Sequence, residues 1–229
     1  TKKPLKTTIL AFIVSMTFLF VISCGGGSTT SPNDNPYGLT ETGPGVLSVL
    51  PLDKENLYWI TPLGKLAPPG HVLPTDHVYI MFEDPWGNTI QDIDCSAYSI
   101  YAAGSGVVTF ILETEERGDT KVMIQMTKTF MYYYDHIKLD PSIVVGTKVT
   151  AGQKIGTTIN CPSIDLGVYD LDVTPSGYLK PERYGEYGAH TVSPFLYFTE
   201  ELRTFLYERS KVSEGVPYNK DGRVDWGIA

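Results

Sequence analysis

Along residues 46–173, apolar and aromatic residues occur in short runs that alternate with polar residues, and Gly, Pro, Asn or Asp separates the runs. A period of two is typical of a strand with one buried face, and the separating residues are those that form turns. No run of about 10 to 15 residues with helical periodicity interrupts them, so we predict a mainly β fold of antiparallel strands, in a sandwich or barrel. The pattern predicts eight strands, at residues 56–61, 77–82, 98–102, 106–112, 121–126, 129–139, 154–158 and 164–169.

The periodicity becomes helical near the C-terminus. Ser193 can cap a helix, and Pro194 suits its first position. We therefore predict a C-terminal helix over residues 193–210 whose apolar stripe packs on the sheet. The stripe repeats at steps of three and four residues and consists of Phe195, Phe198, Leu202, Phe205 and Leu206.

The first residues have the three parts of an export signal. Three lysines precede an apolar run at residues 9–22, and Ser23 stands directly before Cys24. The run is shorter than the roughly 20 residues that a membrane-spanning helix needs. Residues 21–24, Val-Ile-Ser-Cys, resemble the lipobox of bacterial lipoproteins, whose cysteine receives lipid. The alternative is an ordinary secretory signal with an incidental cysteine.

This interpretation divides the chain into three parts and predicts its location. They are a signal peptide at residues 1–23, a flexible tether at residues 24–40 and a β domain at residues 41–229. The tether is rich in Gly, Ser, Thr and Asn, which is typical of a flexible linker. We expect a protein of the bacterial cell envelope, held by lipid on Cys24 at the outer membrane or the periplasmic face.

Composition excludes several classes of protein. The chain has 229 residues, of which 42% are apolar, enough to build a core and too many for a disordered chain. Its 26 acidic and 18 basic side chains give a net charge of −8; loss of a leader with three lysines would leave 15 basic side chains and a charge of −11. Such a charge does not favour nucleic acid or anionic lipid, so we expect no nucleic-acid partner.

Two cysteines remain if Cys24 carries lipid. Cys95 and Cys161 form an even pair, and a disulfide could persist outside the cytoplasm. They could equally be buried free thiols, since a domain of this size does not need a covalent link. The sequence leaves both possibilities open.

Four segments in order resemble the lysostaphin-type zinc endopeptidases, which cut peptidoglycan cross-bridges. They are residues 70–77 (GHVLPTDH), 102–108 (AAGSGVV), 134–137 (YDHI) and 145–156 (VGTKVTAGQKIG). The resemblance spans residues 70–170 and implies a barrel-sandwich hybrid, the duplicated hybrid motif. Biotinyl and lipoyl carrier domains share the turn of the last segment, but the chain lacks their Met-Lys-Met sequence.

The resemblance implies site residues one by one. His71 and Asp76 match the first two zinc ligands, although five positions separate them where the family has four, and His136 matches a catalytic histidine. In the late strand the family has His-x-His; here Asp165 occupies the place of the catalytic histidine and Gly167 that of the third ligand. Glycine has no donor, so we expect a vacancy that faces the site and zinc that binds weakly or not at all.

Three functions follow as hypotheses. The first is a non-catalytic module that binds peptidoglycan or an envelope protein. The second is an active zinc endopeptidase whose third ligand is Asp165 or comes from His77, His190 or Cys161. The third is an assembly scaffold without a ligand. We expect His77, directly after Asp76, to face away from it and to pack in the core or cap a turn.

Overall fold

A computed structural model describes residues 36–64, 74–82, 98–114, 119–159, 163–174 and 185–210. The predictions for the leader, Cys24, His71, Cys95 and Cys161 lie outside these ranges. Within them, none of the helices is both long and apolar enough to cross a membrane.

The described chain is mainly antiparallel β-sheet. Its strands are β1 (Trp59–Ile60), β2 (Val78–Met81), β3 (Ser99–Tyr101), β4 (Gly106–Thr114), β5 (Asp119–Gln125), β6 (Phe130–Leu139), β7 (Lys148–Val149), β8 (Lys154–Thr158), β9 (Ser163–Asp170) and β10 (Thr191–Val192). The helices are α1 (Gly185–Gly188) and α2 (Glu200–Arg209), with 3₁₀ turns at Lys54–Asn56 and Pro194–Tyr197. The predicted fold class, antiparallel strands followed by a C-terminal helix, is confirmed.

All eight predicted strands are present, and the pattern missed β7 and β10. Each of these has only two residues, which is too short to display an alternation. The first predicted strand, at residues 56–61, is reduced to Trp59–Ile60 because the 3₁₀ turn Lys54–Asn56 occupies its start.

Strand β6 organises the sheet. The strand order is β1-β2-β9-β6-β5-β4-β7, with β10 added to β9, and β8 paired with both β3 and β6. Along one side β6 pairs with β5; along the other it pairs with β9 over residues 130–135 and with β8 over residues 137–139. The change of partner falls at His136, so this residue stands where two ladders meet.

The two faces of β6 enter different clusters. Tyr132 and Tyr134 belong to the main core, together with most buried aliphatic residues. Tyr133 points to the other face, into a small cluster with Met123, Met131 and Tyr169. The alternation along the strand therefore separates the core from the face that carries the polar groups described below.

The C-terminal helix begins at Glu200 and not at Pro194. After the turn Pro194–Tyr197, Phe198 is extended, with ψ of 151°. Leu47 causes this break, because its N–H donates to Tyr197 O at 2.8 Å and its carbonyl accepts from the N–H of Thr199 at 3.1 Å. The predicted stripe still packs inward: three of its members are buried and two are partly buried against the core, namely Phe195, Phe198 and Leu206, and then Leu202 and Phe205.

Candidate functional site

A register shift between β5 and β6 turns His136 toward the polar face. Between the pairs Thr120↔Ile137 and Val122↔Tyr134, two residues of β6 stand opposite one of β5. His136 is one of the two and has a φ of 63°, in the left-handed region that histidine enters more readily than most residues. Such bulges commonly re-aim a side chain. Because of the bulge, Asp135 and His136 can lie at the same site although they are consecutive residues of one strand.

His136 lies between two carboxylates. Its Nδ1 is 2.7 Å from Oδ2 of Asp119, a short hydrogen bond. Its Nε2 is 3.6 Å from Oδ2 of Asp165, which is too long for a hydrogen bond. Because an ionised carboxylate only accepts, Nδ1 carries the proton, and in the neutral ring the lone pair of Nε2 faces Asp165.

Burial and charge act in opposite directions on His136. Burial disfavours the charged ring and lowers its pKa. The hydrogen bond to Asp119 and the negative charges of Asp165 and Asp135 favour the charged ring and outweigh burial. The pKa of His136 is therefore raised above its ordinary value of 6.5.

His77 connects Asp165 to Asp76. Its Nε2 is 3.2 Å from Oδ2 of Asp165, and its Nδ1 is 2.9 Å from Oδ1 of Asp76. The prediction that His77 faces away from Asp76 is wrong, because both residues precede β2, which begins at Val78, and the alternation of a strand does not apply there. His77 is buried and faces the site.

Both oxygens of Asp76 already have partners. Oδ1 contacts His77, and Oδ2 accepts a hydrogen bond from the hydroxyl of Tyr169 at 3.1 Å. Burial raises the pKa of this carboxyl, but the hydrogen bond and charge of His77, the charge of Lys121 and the hydrogen bond from Tyr169 together lower it below 3.8. Asp76 is thus an ionised group held within the protein.

The aromatic ring of Tyr133 fills the space above Gly167. The two residues are cross-strand partners in β6 and β9. A Cβ at position 167 would collide with Cε1 and Cζ of the ring and would lie 2.6 Å from its hydroxyl. Lys121 covers the ring, with Nζ 3.7 Å from the ring centre, and Tyr169 packs beside it at 5.3 Å. The expected vacancy at Gly167 is therefore wrong: a tyrosine occupies it.

The described residues do not fit the zinc ligand set that the resemblance implied. Gly167 offers no donor and has no room for one. Asp76 is engaged on both oxygens. His71 lies outside the described residues. A separate set does have donors close together: one ligand atom each from Asp135, His136 and Asp165 lies within 4.8 Å of the others.

The predicted site residues divide into three groups. Asp76, His136 and Asp165 come together, joined by His77. His190 is placed by a different contact, since its Nδ1 is 2.8 Å from the carbonyl of Val173. His71, Cys95 and Cys161 lie outside the described residues, so their predicted roles stay predictions.

Sequence reasoning missed three members of the site. Asp119 is the first residue of β5, and the sequence Gly-Asp at positions 118 and 119 is typical of a turn. Its hydrogen bond to His136 depends on the bulge, which the sequence does not show. Asp135 precedes the recognised histidine and is the cross-strand partner of Asp165. Tyr133 lies in an unbroken aromatic run at residues 132–134 that is typical of core. The period of two could have placed Tyr133 and Asp135 on one face, opposite Gly167 and Asp165.

Comparison with family models gives one match. The model described as peptidase family M23 matches residues 88–163, about a third of the chain. The matched range contains His136 and ends two residues before Asp165. Asp76 and His77 precede it, so the match covers only part of the site.

Two solved structures show partial similarity to this chain. Csd3 from Helicobacter pylori has 19% identity and a TM-score of 0.44, with 72% of this chain and 40% of that chain covered. Lysostaphin from Staphylococcus simulans has 14% identity and a TM-score of 0.44, with 73% and 58% covered.

A zinc-containing peptidase from Vibrio cholerae has 19% identity and a TM-score of 0.40, with 56% of this chain and 37% of that chain covered. The chain thus spans less than two thirds of the length of each of these proteins. No curated protein sequence matches it.

Proposed function

We propose that the chain, whose residues 88–163 match the model of peptidase family M23 as the sequence resemblance predicted, binds peptidoglycan without cutting it. The observation that carries the proposal is the pair Gly167 and Tyr133. An open catalytic zinc site uses three protein ligands and one water. Here the third ligand position has neither a donor nor space for one, because the tyrosine ring lies against the glycine.

In this proposal, the sheet face that carries His136 recognises wall peptides through its partly exposed polar groups. Asp135, His136 and Lys121 are partly exposed at its surface, with side chains 26%, 38% and 25% accessible. They offer both signs of charge to a peptide that carries amines and carboxylates. An envelope protein is the alternative partner.

Sedimentation with purified peptidoglycan tests both parts of the proposal. We expect the purified chain to pellet with the wall material and to release no soluble cross-bridge peptides, with or without added Zn²⁺. Lysostaphin is the positive control for release. Zinc-dependent release of peptides by this chain would overturn the non-catalytic proposal; failure to pellet would favour an envelope protein as the partner.

One observation favours the active alternative. In the resemblance, Asp165 and His136 have the places of two catalytic-site residues. Here they still face each other, and together with Asp135 they form a possible donor set. If Asp165 became a zinc ligand, it would leave the position from which the family histidine assists the chemistry. The release assay therefore decides between the two functions.

We also propose that the protein is held in the bacterial cell envelope by lipid on Cys24. The support is the order of lysines, apolar run, small residue and cysteine. Detergent-phase partitioning of Cys24→Ala tests it, and the unaltered chain is the control. We expect the variant to stay unprocessed or to move to the aqueous phase. A processed variant in the detergent phase would contradict the lipid anchor.

A further inference from the structure

We propose that Asp135, His136 and Asp165 hold a divalent cation, at a position displaced from the one that the family resemblance implies. The inference concerns a ligand site and does not depend on whether the domain binds or cuts peptidoglycan. It uses residues of β6 and β9 that lie on one face of the sheet at the bulge.

The three donors are spaced as ligands around one ion. Their ligand atoms lie within 4.8 Å of one another. Bonds of 2.0–2.2 Å in a tetrahedral shell put neighbouring donors roughly 3–4 Å apart, so a small inward movement completes the site. The 3.6 Å between Nε2 of His136 and Oδ2 of Asp165 already has this value. The same separation is too long for a direct hydrogen bond.

Each of the three donor residues is held in place by a neighbouring group. Asp119 binds Nδ1 of His136, so Nε2 is the nitrogen that faces inward. Oδ1 of Asp135 accepts a hydrogen bond from the backbone N–H of His136 at 2.9 Å. His77 contacts Asp165. A carboxylate on the far nitrogen of an imidazole is the usual arrangement behind a metal-binding histidine.

The charge around the site favours a cation. Among the described residues, four carboxylates, those of Asp76, Asp119, Asp135 and Asp165, meet one lysine, Lys121, and two histidines. With neutral imidazoles the group carries a net charge of −3, and Asp119 and Asp165 are almost fully buried. Buried negative charge in excess of its partners is costly, and a divalent ion would offset most of it.

The donor set indicates which ions fit. One imidazole and two carboxylates suit Zn²⁺ and also Mn²⁺, whereas Mg²⁺ and Ca²⁺ prefer oxygen donors alone. The side chain of His136 is 38% exposed, so water can complete the shell from the solvent side. We therefore choose Zn²⁺ as the probe and Co²⁺ as its spectroscopic substitute.

Calorimetry and visible spectroscopy on the purified chain test the proposal. We expect one Zn²⁺ per chain after dialysis, saturable binding, and Co²⁺ bands that disappear when Zn²⁺ is added. Asp135→Asn, His136→Gln and Asp165→Asn should each weaken binding at least tenfold. Asp119→Asn should weaken it about 10–100-fold, because it frees the imidazole while leaving all three ligands in place.

Two matched variants locate the ion. Asp76→Asn removes a carboxylate that the resemblance makes a ligand, and we expect less than a threefold change. His190→Asn removes a histidine outside the site and should have no effect. If Asp76→Asn weakens binding as much as Asp165→Asn does, the ion lies in the family position and the proposal is wrong.

A measurement on the unaltered protein tests the proposal even if the variants fail to fold. The chain has only four histidines, so nitrogen NMR resolves their rings. Adding Zn²⁺ should shift Nε2 of His136 while Nδ1 keeps its proton. Absence of saturable binding, or a shift confined to other histidines, would overturn the proposal.

Discussion

The two faces of β6 differ in the kind of partner that their side chains contact. Tyr132 and Tyr134 lie on the core face, and Tyr133 and Asp135 lie on the site face. On the core face the hydroxyls bind backbone atoms of one segment: Tyr134 donates to Tyr101 O at 3.0 Å, and Tyr132 donates to the carbonyl of residue 104 at 2.8 Å. On the site face, side chains contact side chains from other strands. A backbone partner is present whatever its residue type, so the core face fixes the fold. A contact between two side chains on the site face can be lost by one substitution of either partner.

The strongest test of this comparison is Gly167→Ala. The added Cβ would collide with the ring of Tyr133, and such overpacking typically costs about 1–3 kcal/mol. We expect the free energy of unfolding, measured in urea, to fall by that amount. Tyr133→Leu made in the same chain should restore part of it, giving a clear coupling in a double-mutant cycle.

Additive effects of the two substitutions would contradict the packing of Tyr133 on Gly167. Gly38→Ala serves as a control for adding a Cβ, since nothing lies within 4 Å of that position. Its cost reports only backbone strain, because its φ is 71°.

Removing single hydroxyls compares the two faces directly. Tyr134→Phe leaves the N–H of Ala103 and the carbonyl of Tyr101 without their partner, and we expect a loss of about 1–3 kcal/mol. Tyr133→Phe removes a hydroxyl that donates to Tyr169 and lies 3.5 Å from Nδ1 of His77. Both partners are side chains, and we expect a smaller loss than for Tyr134→Phe. Equal losses in the free energy of unfolding, measured in urea, would show that the hydroxyls on the two faces stabilise the fold equally.

Alkaline pH should destabilise the chain through buried tyrosines on both faces of β6, because burial raises the pKa of Tyr133 as well as those of Tyr132 and Tyr134. Burial raises the pKa of Tyr132 and Tyr134 above the ordinary 10.0, against the hydrogen bonds that lower it. The folded state therefore holds these protons more tightly than the unfolded state, and the stability they provide is complete below pH 10 and is lost as the pH rises above it. The slope should not exceed about 1.4 kcal/mol per pH unit for each tyrosine.

Urea unfolding at a series of pH values, together with tyrosinate absorbance, measures this effect. Tyr134→Phe should have a shallower decline than the unaltered chain. A decline of the same slope in both would assign the alkaline effect to other groups.

A similar difference, between local patterns and contacts with distant residues, explains how much of the fold the sequence could predict. Alternation placed eight strands because it reports the local requirement that one face of each strand be buried. The helix start was misplaced because Leu47, about 150 residues away in sequence, holds Phe198 extended. A pattern within one segment carries no information about such a partner.

The site was predicted in part for a related reason. His136 and Asp165 stand in recognisable motifs, so a resemblance could identify them. The contacts of His136 with Asp119 and of His77 with Asp165 depend on a bulge and on an irregular segment before β2. Neither feature has a periodic signature, so the assumption of regular strands turned His77 the wrong way.

The packing of Tyr133 on Gly167 also restricts how this site could have changed during evolution. A histidine at position 167 and a tyrosine at position 133 cannot occupy the same space, so substitution of either residue alone passes through a collision or a cavity. A metal-binding side chain at position 167 would require both positions to change, and each intermediate would be less stable. Among relatives, a residue other than glycine at position 167 should therefore occur together with a residue smaller than tyrosine at position 133.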